Sequence, residues 1–301
     1  MGTFLDGKVI AITGAGGGIG RALALGCAAE GASVVVNDYG VSIAGEDPTS
    51  DVADAVVAEI ESAGGSAVAV ADSVATMDGG ERIVQTAVDK FGRIDGVVCV
   101  AGTLRERMLF NMTEDDWDNV VATHLKGTFT LFRAATPLMR AQKSGSLIAF
   151  TSGAFAGSVA QANYSAAKGG VVSLVRSAAA GMHKYGVTAN AIAPIARTRM
   201  SANVPFGLDD MGEPEDIAPM VVYLLSDAAR EITGQVYTVA GGKIAVWDQP
   251  HEVREMRKDG RWTPEEIAAQ LPGDVGQEPM PLLALLQQRA AAAAAGQKPN
   301  A

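Results

Sequence analysis

From Lys8 to about Val246, short β-branched or apolar runs alternate with longer stretches in which apolar residues recur every three or four positions. The short runs are Val9–Thr13, Ser33–Asp38, Ala67–Asp72, Gly96–Gly102, Ser146–Ser152, Val187–Pro194 and Gln235–Gly242. They are almost continuously apolar, the pattern of strands covered on both faces rather than on one. The longer stretches predict helices over Asp78–Phe91, Thr113–Gln142, Tyr164–Tyr185 and Glu213–Leu225. Strands regularly separated by helices predict a single α/β domain over residues 1–246, with a doubly wound, seven-stranded parallel sheet and helices on both faces. After Gly242 the alternation stops. Residues 247–301 read as a C-terminal extension rich in Pro, Ala and Gln, ending in the low-complexity run Arg289–Ala301. Within it, Arg261–Leu271 predicts a short helix with Thr263 as N-cap and Pro264 as its first residue.

Composition narrows the class. With 301 residues, 48% of them apolar, the chain can bury one large core. Its net charge of −10 argues against nucleic acid as a partner, because phosphates reward a basic face. No apolar stretch is long enough for a membrane span, and Met1–Asp6 lacks the order of a signal peptide, so a cytoplasmic protein is expected. The two cysteines, Cys27 and Cys99, fall in apolar patterns and read as small buried hydrophobes, not as a disulfide or metal site. Two short basic runs offer places to meet an anionic substrate: Arg105 with Arg107, and Arg197 with Arg199. Pairing with the many acidic residues is the alternative for each.

The segment TGAGGGIG, Thr13–Gly20, directly follows the first strand and opens a helix. In that context Gly14 permits a tight turn, Gly18 lets the backbone approach a pyrophosphate, and Gly20 allows close helix packing, with Ile19 between them. A glycine cluster alone is weak support for a nucleotide site. Asp38 ends the second strand about twenty residues later, where a carboxylate can accept bonds from ribose hydroxyls and repel a 2′-phosphate. This favours NAD over NADP as cofactor. Asp72 with Ser73, and Val100 with Ala101 and Gly102, close the third and fourth strands at the same sheet edge.

Tyr164 and Lys168 lie four apart in YSAAK, so both project from one helix face. A phenol is a poor base at neutral pH unless a nearby cation favours its charged form. By itself the pair is an ordinary helical neighbour contact. A hydroxyl that could hold a substrate oxygen stands at the end of the preceding strand, at Thr151 or Ser152.

Together these pieces resemble the short-chain dehydrogenase/reductase family from about Asp6 to Gly242: TGAGGGIG, Asp72, the fourth-strand AlaGly, a serine before YSAAK, and NAIAP followed by Thr198. The resemblance implies a Rossmann-type fold and a set of roles. Tyr164 would be the base in alcohol oxidation, and Lys168 would lower its pKa and bind the nicotinamide ribose. A serine would orient the substrate hydroxyl, Asp72 would reach the adenine, and Pro194 and Thr198 would lie beside the nicotinamide. Three positions depart from the family pattern. Val100 stands where an asparagine is usual. His124, in ATHLKGTF, stands where an asparagine commonly positions a proton-relaying water; its carbonyl or its imidazole could serve instead. The usual spacing of the serine to the tyrosine lands on Thr151, whereas strand register favours Ser152, with Thr151 in reserve.

VVVNDYG, RERM, THLKG, QANYSAAK, ARTRM and WTPEEI resemble the branch holding the dehydrogenase domain of peroxisomal multifunctional enzyme type 2 and its bacterial relatives. That implies a small-molecule secondary alcohol, either a (3R)-hydroxyacyl-CoA or a 17β-hydroxysteroid. The arginines would meet CoA phosphates; alternatively Met108, Leu109, Phe155, Val204 and Phe206 would line an apolar cleft. An NAD-binding protein without turnover is a third reading. The family also implies a homodimer or homotetramer built on the helices from Thr113 and Tyr164.

Overall fold

The computed structural model describes residues 3–40, 49–198 and 211–294. Arg199, Val204, Phe206 and the last residues of the alanine-rich run lie outside them. Two units are present, Met1–Trp247 and Asp248–Ala301.

In the first unit the chain runs β1 (Val9–Thr13), α1 (Gly18–Ala29), β2 (Ser33–Asn37), α2 (Asp51–Ser62), β3 (Ser66–Val70), α3 (Met77–Phe91), β4 (Gly96–Cys99), α4 (Glu114–Val121), α5 (Gly127–Gln142), β5 (Gly145–Phe150), α6 (Ala162–Met182), β6 (Val187–Pro194), α7 (Ala218–Leu225), β7 (Val236–Ala240) and β8 (Lys243–Val246). The sheet order is β3-β2-β1-β4-β5-β6-β7-β8. Seven strands are parallel, as the alternation predicts, and an eighth is added: β8 pairs antiparallel with β7, register Val239↔Ile244. The sequence reading missed it because Lys243–Val246 is a short, largely exposed hairpin return with no crossover helix.

Each strand feeds both faces. Ile10 and Ile12 join Val34, Val36, Leu23 and Cys27 on one side, while Val9, Ala11 and Val35 join Ile83, Leu131 and Val171 on the other. Each of the valine, leucine and isoleucine side chains among them, fully buried, contributes roughly 1.5–3 kcal/mol. Both cysteines are buried, and burial pushes each thiol up to about 12, so they are inert core residues.

The single helix predicted over Thr113–Gln142 is α4 and α5 joined by one π-helical turn, Ala122–Lys126. Thr113 and Asp116 cap its start reciprocally. His124 sits in the middle of this π turn and is buried. No helix among the described residues is long and apolar enough to cross a membrane.

In the second unit, α8 (Pro264–Asp274) begins at the expected Thr263 cap with Pro264 first, and Glu266 completes a capping box. A further helix, α9 (Pro281–Ala294), takes in the start of the alanine run.

Lys143 ends α5 in the left-handed region, φ 57°, although it carries a side chain. Lys143→Gly is therefore expected to stabilise the protein by about 0.5–1 kcal/mol, raising Tm by about 1–2 °C in a thermal melt.

Candidate active site

The strand order reverses direction between β1 and β4, so their carboxyl ends diverge and leave a crevice. The glycine loop fills its floor. Gly14 has φ +65°, and a methyl there would lie 2.8 Å from the Ala101 Cα, so only glycine admits this approach. The approach is fastened by Thr13, whose Oγ1 accepts the Val100 amide at 3.1 Å and the Ala101 amide at 3.2 Å. A methyl on Gly20 would sit 2.0 Å from the Gly14 carbonyl oxygen, and one on Gly18 (φ +50°) would meet the Thr198 methyl at 3.7 Å. Ile19 packs on the core below. Helix α1 starts at Gly17 with no side-chain cap and no acidic residue in its first turn. Such an open, uncapped N-terminus behind a glycine cradle fits the pyrophosphate of a dinucleotide.

Asp38 lies just past β2. Its Oδ2 accepts the Gly16 amide and its Oδ1 the Gly40 amide, both at 2.8 Å, which fixes the carboxylate beside the loop. The buried Asn37 bonds the Val70 and Asp72 carbonyls at 3.0 and 2.9 Å, joining the ends of β2 and β3. The Asp72 carboxylate pairs with Arg82 at 2.7 Å, and the Ser73 hydroxyl accepts the Ala75 amide. Pro194 closes β6, opposite Val239 of β7.

At the next strand end the hydroxyls of Thr151 and Ser152 part company. Thr151 is buried and donates to the Lys168 carbonyl at 3.0 Å, a structural bond to α6. Ser152 is hydrogen-bonded to the Tyr164 phenol, and its oxygen also accepts the Ala154 amide at 3.2 Å. Successive strand residues face opposite ways, so only one of the two can meet the phenol. Lys168 lies 5.4 Å from the Tyr164 ring centroid and donates to the Phe150 carbonyl at 2.6 Å.

Burial sets the protonation of this group. It pushes the Tyr164 phenol above its ordinary value, opposed by the Ser152 hydrogen bond. It pushes the Lys168 amine down to about 7, opposed by Cys99. His124, 4% exposed, is held well below its usual value by burial first and by the Lys168 charge second, so its imidazole is neutral. Its ring stands edge-on to Tyr164, centroids 5.1 Å apart at 83°. Nε2 lies 2.8 Å from the Thr103 carbonyl and 3.2 Å from the Thr103 amide, Nδ1 is buried without a hydrogen bond, and its own carbonyl accepts Thr128 Oγ1 at 2.7 Å. Gly102 makes room for the ring, since a methyl there would meet its Cε1 at 2.3 Å.

The structure thus brings Ser152, Tyr164, Lys168 and His124 together beside the glycine cradle, with Ala101 and Gly102 between them and the loop. Other candidates have different neighbours. Arg107 pairs with Asp116 at 3.0 Å and Arg197 pairs with Glu213, which is the ion-pair alternative weighed for both. Phe155 packs on Trp247 at 4.5 Å, while Met108 and Leu109 are 44% and 70% exposed. The sequence reading overlooked the roles of the Thr13 hydroxyl, Asn37 and Asn163. A polar residue at a strand end or immediately before the tyrosine was the available signal.

A family model described as Enoyl-(Acyl carrier protein) reductase matches residues 14–243. The chain is 41% identical over 286 residues to Hydroxyacyl-CoA dehydrogenase ChsB1 of Mycobacterium tuberculosis, covering 89% of each. It is 41% identical over 266 residues to Peroxisomal multifunctional enzyme type 2 of Mus musculus, covering 87% of this chain but 36% of that longer protein. Its fold is similar to a crystal structure of a short chain dehydrogenase from Mycobacterium avium, with a TM-score of 0.83, 46% identity and coverage of 92% of this chain and 97% of that one.

Thr13→Val removes the acceptor of two amides at nearly constant volume. It is expected to cost about 1–3 kcal/mol in urea denaturation and to weaken binding of a reduced nicotinamide dinucleotide about tenfold in a fluorescence titration. Unchanged binding would show that the clamp between the loop and β4 is dispensable.

Proposed function

From a chain that belongs to the short-chain dehydrogenase/reductase family, we propose an NAD-dependent oxidation of a secondary alcohol, with a (3R)-hydroxyacyl-CoA as substrate. The observation that carries it is the Ser152, Tyr164 and Lys168 cluster at the sheet edge beside the glycine cradle. The name of the bacterial relative, Hydroxyacyl-CoA dehydrogenase ChsB1, supports the substrate class.

The cradle at Gly14, Gly18 and Gly20, with Asp38 toward the ribose, would hold the dinucleotide; Asp72, Ser73, Pro194 and Thr198 would complete its site. When bound, the oxidised nicotinamide supplies a hydride acceptor. Ser152 would hold the substrate hydroxyl and Tyr164, as phenolate, would take its proton. Lys168, whose ammonium is costly to bury, gains partners if ribose hydroxyls reach it, and a charged Lys168 then favours the phenolate. His124, neutral and against the phenol, would pass a proton onward through its unused Nδ1 or leave that task to solvent. The alcohol carbon loses hydride, the oxygen loses a proton, and the product is a ketone. Asp38 favours NAD because a 2′-phosphate would be repelled by its fixed carboxylate. A free 17β-hydroxysteroid is the second reading, favoured by the exposed apolar run Met108–Phe110. Trp117 on α4 and Phe129 on α5, 40% and 44% exposed, suit the assembly of copies through these helices.

The test is a panel of (3R)-3-hydroxyacyl-CoA thioesters and hydroxysteroids with NAD and NADP, followed by NADH absorbance. Expected are turnover of the thioesters and a kcat/KM about 100-fold higher with NAD, equivalent to about 2.8 kcal/mol. Tyr164→Phe should lower kcat by about 10²–10⁴-fold with NADH still bound. Because burial raises the phenol pKa, oxidation by the unaltered chain should rise with pH through the neutral range and ketone reduction should fall. Dinucleotide binding without turnover of any alcohol would indicate a binding protein.

A further inference from the structure

The residue immediately before the tyrosine is fully buried, and its side-chain amide makes three hydrogen bonds, two donated and one accepted. Asn163 Oδ1 accepts the Tyr164 amide at 2.8 Å; Nδ2 donates to the Asp116 carbonyl at 2.7 Å and to the Arg105 carbonyl at 3.0 Å. Three separate stretches meet on one side chain: the first turn of α6, the first turn of α4, and the segment after β4. Aspartate lacks the two donors, and glutamine is one methylene too long.

The same segment is tied to the entry of α6 by further bonds. The Arg107 amide donates to the Ala160 carbonyl at 2.8 Å, and Gln161 Nε2 donates to Glu106 Oε1 at 2.6 Å. Arg107 Nε reaches Asp116 Oδ2 at 3.0 Å. Ala160 sits at φ +59°, a left-handed conformation that costs a residue with a side chain about 1–2 kcal/mol, so surrounding bonds must hold the chain there. At its other end the segment bonds His124 through Thr103, and the His124 ring abuts Tyr164. The stretch from Thr103 to Arg107 therefore grips Tyr164 from two sides, through His124 at one end and Asn163 at the other.

We propose that Asn163 is a positioning residue for the reaction: by fixing the first turn of α6 to α4 and to the post-β4 segment, it holds the Tyr164 phenol against Ser152. This deepens the reading above and rests on it. The hydrogen bond from Ser152 is what opposes the upward push of burial on the phenol. Loosening Asn163 lets the phenol drift from Ser152, which raises the pH at which the phenolate forms and displaces the base from the substrate.

The experiment compares the unaltered chain with Asn163→Ala and Asn163→Asp, using (3R)-3-hydroxybutanoyl-CoA and NAD. For Asn163→Ala the expected result is a kcat lowered about 100-fold, a Kd for NADH within about twofold of the original, and an acid limb of kcat/KM moved to higher pH. Asn163→Asp keeps the shape and the acceptor for the Tyr164 amide but loses both donors. It should show the same shifted limb and regain part of its rate at low pH, where a protonated carboxyl donates once. A limb that stays in place in both variants overturns the proposal, whatever happens to the rate or to Tm. Should Asn163→Ala fail to fold, the limb of Asn163→Asp decides alone. If Tyr164→Phe is inactive while both Asn163 variants behave as the unaltered chain, only the positioning role falls; if Tyr164→Phe is active, the functional reading falls with it.

Discussion

The Thr13 hydroxyl accepts the two amides that follow β4, and with that pair of bonds the end of one strand is fastened to the end of its neighbour. These bonds clamp the end of β1 to the residues that follow β4 at the crevice between the two strands. The clamp brings Ala101 so close to Gly14 that no side chain fits, and the Gly14 carbonyl in turn excludes any side chain from Gly20. The glycines are required by this contact as much as by any ligand. One residue further, Gly102 gives the His124 ring its seat, so the clamp also fixes the floor on which the tyrosine rests.

Above that floor the electrostatics have one theme. Tyr164 is pushed up, Lys168 is pushed down and His124 is pushed down, and in all three the largest cause is burial. Each shift moves the group toward its neutral form. Burial therefore acts against charge at all three side chains, and the Lys168 amine is lowered to about 7. In the proposed oxidation, the charge that favours the Tyr164 phenolate would come with the bound dinucleotide.

How much of this was legible in the chain follows from range. Strand runs, the glycine loop and the Tyr164/Lys168 spacing are local patterns, and the sheet edge where they meet follows from parallel topology. Strand alternation favours Ser152 over Thr151, and in the structure the two side chains face opposite neighbours, one toward the phenol and the other toward the Lys168 carbonyl. Long-range polar contacts were not legible. Asn163 looks like any helix-entry residue until the carbonyls of Arg105 and Asp116 are brought to it. For Arg107 and Arg197 pairing with acidic residues was already an alternative in the sequence, but the partners, Asp116 and Glu213, could not be named from it. The π turn at His124 has no compositional signature, and β8 is too short and exposed to carry one.

The most direct measurement is a paired comparison of Ser152→Ala and Thr151→Val in NADH-coupled oxidation of a 3-hydroxyacyl thioester. The account predicts that Ser152→Ala lowers kcat by about 10²–10³-fold while Thr151→Val stays within about threefold of the unaltered chain. The reverse order, or equal losses in both, would contradict it.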